Sequence, residues 1–222
     1  MDYHYNFDLV WRHFDKLSYG MLLSLELAVL CCGIGIVIGL TLALLHVSGG
    51  RLARTLVAGY VEAIRNVPLI LLVYLVFYGL PTIVHVHYSA VASFVVTLSL
   101  YSGAYLVETF RSGLAVIPRS VIEAGMAIGL TPLQRLVYVR LPTMFRIILP
   151  SLSNTFISLF KDTSIASVIA VPELTYGANW IGTNTFRTIE VYTVITPMYL
   201  ATGYAIVLLL RQLERTFAVR RT

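Results

Sequence analysis

Two rows of polar side chains interrupt otherwise apolar stretches, and both have the spacing of a helix face. Thr97, Tyr101, Tyr105 and Glu108 follow one another at intervals of four, four and three residues. Asn154, Ser158 and Asp162 are spaced by four, with Ser151 one turn earlier and Lys161 beside the row. Side chains at these intervals share one side of an α-helix. Converging, they would bind a small zwitterion. Glu108 or Asp162 would accept from an ammonium, Asn154 would fix orientation through its amide, and Tyr101 and Tyr105 would offer aromatic faces to a cation. Lys161 would pair with Asp162 or meet a carboxylate. The same groups would serve equally as interhelical hydrogen bonds and ion pairs with nothing between them.

Catalytic chemistry has less to build on. The histidines, at positions 4, 13, 46, 85 and 87, lie at or beyond the ends of the apolar stretches. They form no evident nucleophile–base constellation. His85-x-His87 has no thiol or carboxylate nearby in sequence to complete a metal site. Adjacent Cys31 and Cys32 give neither a disulfide framework nor a zinc spacing. A G-x-x-x-x-G-K-[ST] phosphate loop is not found.

The elements that must position the two rows are dictated by composition. Of 222 residues, 58% are hydrophobic and only 12% charged, where a soluble domain carries about 25% charge. This excludes a disordered chain and argues for an all-α membrane protein, because an isolated strand cannot satisfy its backbone in lipid. Five apolar stretches are expected to span: Tyr19–Val47, Leu56–Leu80, Val91–Phe110, Phe145–Val171 and Val191–Leu210. Each can cross a hydrocarbon core of about 30 Å. Gly35 and Gly39, four apart on the first, would permit close helix contact. On the second, Glu62 and Arg65 at i and i+3 are expected to pair. Met1 to Ser18 lack the apolar core of a cleavable signal peptide.

The net charge of +5 reads as a topology signal and not as affinity for nucleic acid. Eleven arginines fall in the first loop, the third loop and the C-terminal tail (Arg51, Arg54; Arg111, Arg119, Arg135, Arg140, Arg146; Arg211, Arg215, Arg220, Arg221). The opposite connections carry three basic residues: Arg12, Lys16 and Arg187. The positive-inside rule puts the N-terminus outside and the C-terminus in the cytoplasm.

The third loop, residues 111–144, is expected to hold two short helices. One runs from Ser120 to Ile128 and stops at Gly129 through a left-handed C-cap. Thr131-Pro132 caps the second, which is expected to end by Val139, before Pro142. Such an element suits docking to a partner, or serves as an interfacial loop that only joins two spans.

Here the chain resembles a known family. Glu123-Ala124-Gly125, three residues, Gly129, nine residues, Val139, one residue, Leu141-Pro142 is similar to the EAA motif of bacterial ABC-importer permeases. That pattern has alanine where Gly125 stands and isoleucine where Val139 stands. Lys161-Asp162-Thr163-Ser164 resembles a signature of the polar amino-acid uptake branch. Arg65-Asn66-Val67-Pro68-Leu69 looks like that branch's Arg-Gly-Thr-Pro-Leu segment, with Asn66 for glycine. Ile117-Pro118 is similar to the Ile-Pro preceding the EAA loop, although Ser120-Val121 replaces the Gly-Gln that usually follows.

The resemblance implies a type I importer-like permease in a single membrane domain, residues 1–222, placed multi-pass in the bacterial inner membrane amid lipid. It implies that residues 111–144 form the coupling loop, with Glu123, Ala124, Gly125, Gly129, Leu141 and Pro142 meeting a dimer of ATP-binding subunits. ATP and Mg would be bound there, and no cofactor in this chain. A periplasmic amino-acid-binding protein would deliver substrate, and a second permease copy or paralogue would complete the pathway. Alternatives are another small solute, such as an opine or organosulfur compound, or an ion-coupled secondary transporter. The latter would be expected to show an internal inverted repeat.

Overall fold

The computed structural model describes residues 4–217, and every described element is helical or irregular. A short turn, α1 (Asp8–Trp11), leads into α2 (Phe14–Ser48). At 35 residues α2 is about 52 Å long, so it outruns the bilayer core and serves as the spine of the fold. Three apolar clusters stack along it. Leu17 and Met21 pack with Phe160, Leu174, Ile181 and Val191. Leu27 and Cys31 pack with Leu69, Val73, Phe94 and Leu98. Ala43 packs with Val57, Val61, Phe110, Met144 and Ile148.

The second apolar stretch is not one straight span. It forms α3 (Arg51–Arg65), then α4 (Leu69–Tyr74), a π turn at Leu75–Gly79, and α5 (Leu80–Val84). The two halves are bent by 103° at Asn66–Pro68. Pro68 disfavours helical geometry at Val67, and α3 stops there. Among the described residues four other helices are long and apolar enough to cross a membrane, five if the bent pair counts as one span. The third is α6 (Ala90–Ala115), opened by Ser89, whose hydroxyl accepts from the Ala92 amide at 3.1 Å.

Gly35 and Gly39 are where α2 meets α6. A Cβ on Gly35 would lie 2.0 Å from Ser102 Oγ, and one on Gly39 would lie 2.7 Å from Leu106 Cβ. The backbones approach so closely that the Ser102 hydroxyl donates to the Cys31 carbonyl at 3.1 Å.

In the third loop, α7 spans Arg119–Ala127 and α8 spans Pro132–Arg135. Gly129 adopts φ +79°. Around it Leu130 N–H donates to Gly125 O at 3.1 Å and Gly129 N–H to Met126 O at 2.9 Å, the paired bonds of a Schellman cap. Thr131 forms a reciprocal capping box with Gln134, at 3.3 and 2.8 Å.

The expected stop before Pro142 does not occur. The chain runs helically from Pro132 into α9 (Leu141–Asp162) through a π turn at Leu136–Arg140. A proline lacks the N–H its helix needs and crowds the carbonyl four residues back. Widening one turn relieves both problems. Leu141 N–H reaches back five residues to Leu136 O, and the Thr143 hydroxyl donates to Val139 O at 2.7 Å. Leu80-Pro81 repeats the solution. It follows the π turn at Leu75–Gly79, with Leu80 N–H bonded to Leu75 O and the Thr82 hydroxyl to Gly79 O at 2.6 Å.

After Asp162 the helix tightens to 3₁₀ over Thr163–Ile169. Thr163 Oγ1 donates to Phe160 O at 2.7 Å and Ser164 Oγ to Lys161 O at 2.8 Å. These hydroxyls take carbonyls that the lost α-pattern frees. Two helices close the fold, α10 (Leu174–Thr185) and α11 (Thr188–Phe217). Arg220 and Arg221, part of the C-terminal charge count, lie outside the described residues.

Candidate functional site

The rows on α6 and α9 face each other. Tyr101, Tyr105, Asn154 and Asp162 line one cavity of about 410 Å³, with Ser102 and Ser158 completing its polar wall. The Tyr101 hydroxyl donates to the Tyr105 hydroxyl at 3.2 Å, and the two rings lie 4.9 Å apart. Asp162 is the last residue of α9 before the tightening to 3₁₀. The carbonyl end of a helix carries partial negative charge. The cavity has the volume of a small-molecule site and the donors, acceptors and π-faces to orient a zwitterion.

Two residues of the expected set sit apart from it. Glu108 is bound to Arg111 by an ion pair of 2.6 Å, both side chains partly exposed. Lys161 points instead into a second, mostly apolar cavity of about 520 Å³ between α9 and α11, beside Ser164, Tyr199 and Tyr204. Nor do Glu62 and Arg65 pair. Glu62 accepts from Asn66 Nδ2 at 2.8 Å, and the Arg65 guanidinium stacks 5.0 Å from the Tyr105 ring centre. Asn66 follows directly on α3, and its amide also caps the Glu62 carbonyl, so the helix end takes Glu62 away from its expected partner.

The candidate docking element is built differently. On α7 Val121 and Ile122 pack toward Phe110, Leu114 and Phe145. Glu123, Ala124 and Met126 are exposed, and Ile128, Leu133 and Tyr138 add large apolar side chains, 76%, 69% and 71% exposed. Glu123 makes no ion pair among the described residues. Gly125 is buried against Arg135 and Val139, where a Cβ would meet Arg135 Cγ at 3.4 Å. Leu141, half-buried, and Pro142, exposed, sit at the exit of the π turn.

Sequence reasoning missed Glu173. Its carboxylate is fully buried in the connection between α9 and α10. It caps α10 by accepting from the Tyr176 amide at 2.7 Å, and also accepts from Ser24 on α2 at 3.3 Å and Tyr199 on α11 at 3.1 Å. Burial pushes its pKa up to about 7, against the lowering effect of these donors. Gly20 makes room for it: a Cβ there would lie 2.7 Å from the Glu173 carbonyl carbon. The only signal in the sequence was a capping-type acid ahead of an apolar helix. Its partners are 149 and 26 residues away.

Comparison with known proteins bears on what this geometry is for. Over 216 residues the chain is 32% identical to the glutamine transport system permease protein GlnP of Escherichia coli (strain K12), covering 97% of this chain and 99% of that one. It is 40% identical over 176 residues to the L-cystine transport system permease protein TcyB of Bacillus subtilis (strain 168), covering 79% and 75%. To the octopine transport system permease protein OccM of Rhizobium radiobacter it is 32% identical over 213 residues, covering 92% and 87%. Among solved structures it superposes on a chain of an amino acid ABC transporter crystallised with histidines, at TM-score 0.88, 29% identity and coverage of 96% and 100%. A chain of the MetNI methionine ABC transporter, at TM-score 0.75 and 22% identity over 92% and 97%, shares the fold. In this family the permease is a transport subunit without catalysis of its own, and ATP is bound by a separate subunit. Residues 35–219 match the family described as binding-protein-dependent transport system inner membrane component, and this chain belongs to it.

Proposed function

We propose that this chain carries a polar amino acid across the bacterial inner membrane as one of two permease subunits, and that its own substrate site is the cavity between α6 and α9. The observation that carries this reading is the convergence of Tyr101, Tyr105, Asn154 and Asp162 on one space of about 410 Å³. Charged and polar groups within a membrane domain are costly unless paired or used. Relatives named for glutamine, cystine and octopine support an amino-acid-like solute. Glu108, a turn beyond Tyr105 but ion-paired to Arg111, and Lys161, directed into the second cavity, stand outside the lining of the proposed site.

The arginine-rich ends face the cytoplasm, with the N-terminus outside. The ridge of Glu123, Ala124, Met126 and Ile128 docks on a dimer of ATP-binding subunits, while Gly125, Gly129, Leu141 and Pro142 shape the element that presents it. A periplasmic binding protein delivers solute to the opposite face. ATP-driven closure of the motor moves α7, and the π turn at Leu136–Arg140 joins that movement to α9 and the cavity. A solute biases such a two-state cycle only by binding its states unequally.

The decisive experiment is co-purification from the native membrane followed by reconstitution in liposomes. An ATPase should accompany the chain, and its turnover should rise with one amino-acid-loaded binding protein. ATP-independent accumulation driven by a proton or sodium gradient would sink the proposal.

A further inference from the structure

The break at Asn66–Pro68 leaves a cation in an unusual position. Arg65 ends α3, and the residue expected to neutralise it, Glu62, is engaged by Asn66. Among the described residues Arg65 makes no ion pair or hydrogen bond. Its contact is the face of Tyr105, a wall of the polar cavity. Asp162, on that cavity's α9 side, likewise has no hydrogen bond or ion pair among the described residues. Tyr101 and Asp162 line the same cavity, and Arg65 lies over the ring of Tyr105, whose hydroxyl accepts from that of Tyr101. Thus an exposed cation at the end of α3 and a half-buried anion on α9 stand near one tyrosine pair, neither with an ion-pair partner among the described residues. One small molecule supplies both missing partners at once: a zwitterion with its opposite charges a few bonds apart.

We propose that Arg65 holds the α-carboxylate of the transported amino acid while Asp162 takes its α-ammonium, with Tyr101 and Tyr105 between them. This rests on the cavity being the substrate site and adds which atoms of the substrate are read. The guanidinium is suited to the task because its planar fork matches a carboxylate, and stacking on Tyr105 fixes the plane of that fork. Recognition of the backbone charges leaves the solute's side chain to Asn154, Ser158 and the space beyond.

The test is equilibrium binding to the purified permease–ATPase complex in nanodiscs, without binding protein. The probes are the radiolabelled twenty common L-amino acids and L-cystine, followed by competition with the α-amide of whichever binds. In the wild type the free acid should compete at least about tenfold better than its α-amide, as expected for loss of one charge-assisted contact. In Arg65→Gln that ratio should fall toward one, and Arg65→Lys should restore part of it. Equal competition by acid and amide in the wild type overturns the inference without any variant having to fold. So does an unchanged ratio in Arg65→Gln, even though amino acids bind. If no probe binds the wild-type complex, the underlying site assignment fails, and this one with it.

Discussion

The candidate docking element and the polar cavity are assembled by opposite means. Between Arg119 and Arg135 nearly every shaping interaction is local: the Schellman cap at Gly129 and the capping box of Thr131 join residues at most five apart. The cavity joins α6 to the far end of α9, bringing Tyr101 beside Asp162 across 61 positions of chain. The first can keep its shape while the rest of the molecule moves, as a lever must. The second exists only in the arrangement of its helices, and changes when they move. That division suits a transporter, in which a rigid input drives a deformable site.

Four experiments would break or sharpen this contrast. The largest effect should come from Glu123→Lys, which inverts charge on the exposed ridge. ATP-driven uptake in proteoliposomes should be lost while membrane insertion is retained, and wild-type uptake would remove Glu123 from the coupling contact. Next, Asp162→Asn should weaken amino-acid binding to the complex by about tenfold or more. Unaltered affinity for every amino acid bound by the wild type would return Asp162 to a structural role.

A smaller effect is expected at Glu173, which joins a local helix cap to two distant hydroxyls. Its folded-state pKa of about 7 lies above the usual 4.5, so the native state binds its proton more tightly than the unfolded state does. Stability is then greatest below pH about 4.5 and falls as pH rises toward 7. Glu173→Gln should flatten this part of the thermal-melting profile in detergent. An identical pH slope in both proteins would contradict the assignment.

The smallest effects belong to the local element. Gly129→Ala places a side chain at φ +79° and should cost about 1–2 kcal/mol. Gly125→Ala enters space where its Cβ meets only ordinary contacts, and should stabilise α7 by up to about 1 kcal/mol. Paired thermal melts of the two variants test this opposition of sign, and equal shifts would show that the element is not governed by its caps.

What was legible from the chain follows the same line. Gly129 as a left-handed stop and Thr131-Pro132 as a start could be read because their partners are near neighbours. The rows on α6 and α9 could be read because helical period alone places them. Pro142 misled, since proline normally ends a helix, and only the π turn ahead of it carries the helix through. Arg65 misled for a related reason: spacing offers Glu62 as a partner but does not reveal that Asn66 competes for it. Glu173 looked like a loop acid because nothing local announces Ser24 or Tyr199.

By itself, then, the sequence settled the solvent and the period: composition demanded a lipid-embedded helical chain, and spacing put polar groups on shared faces. Only the tertiary structure decided which faces meet, where the second span bends, and which charges remain without partners. The physical reason is one of range. Caps and periodicity act over a turn or two of helix, whereas pairing of charges and packing of faces depend on which distant segments the fold brings to the same point in space.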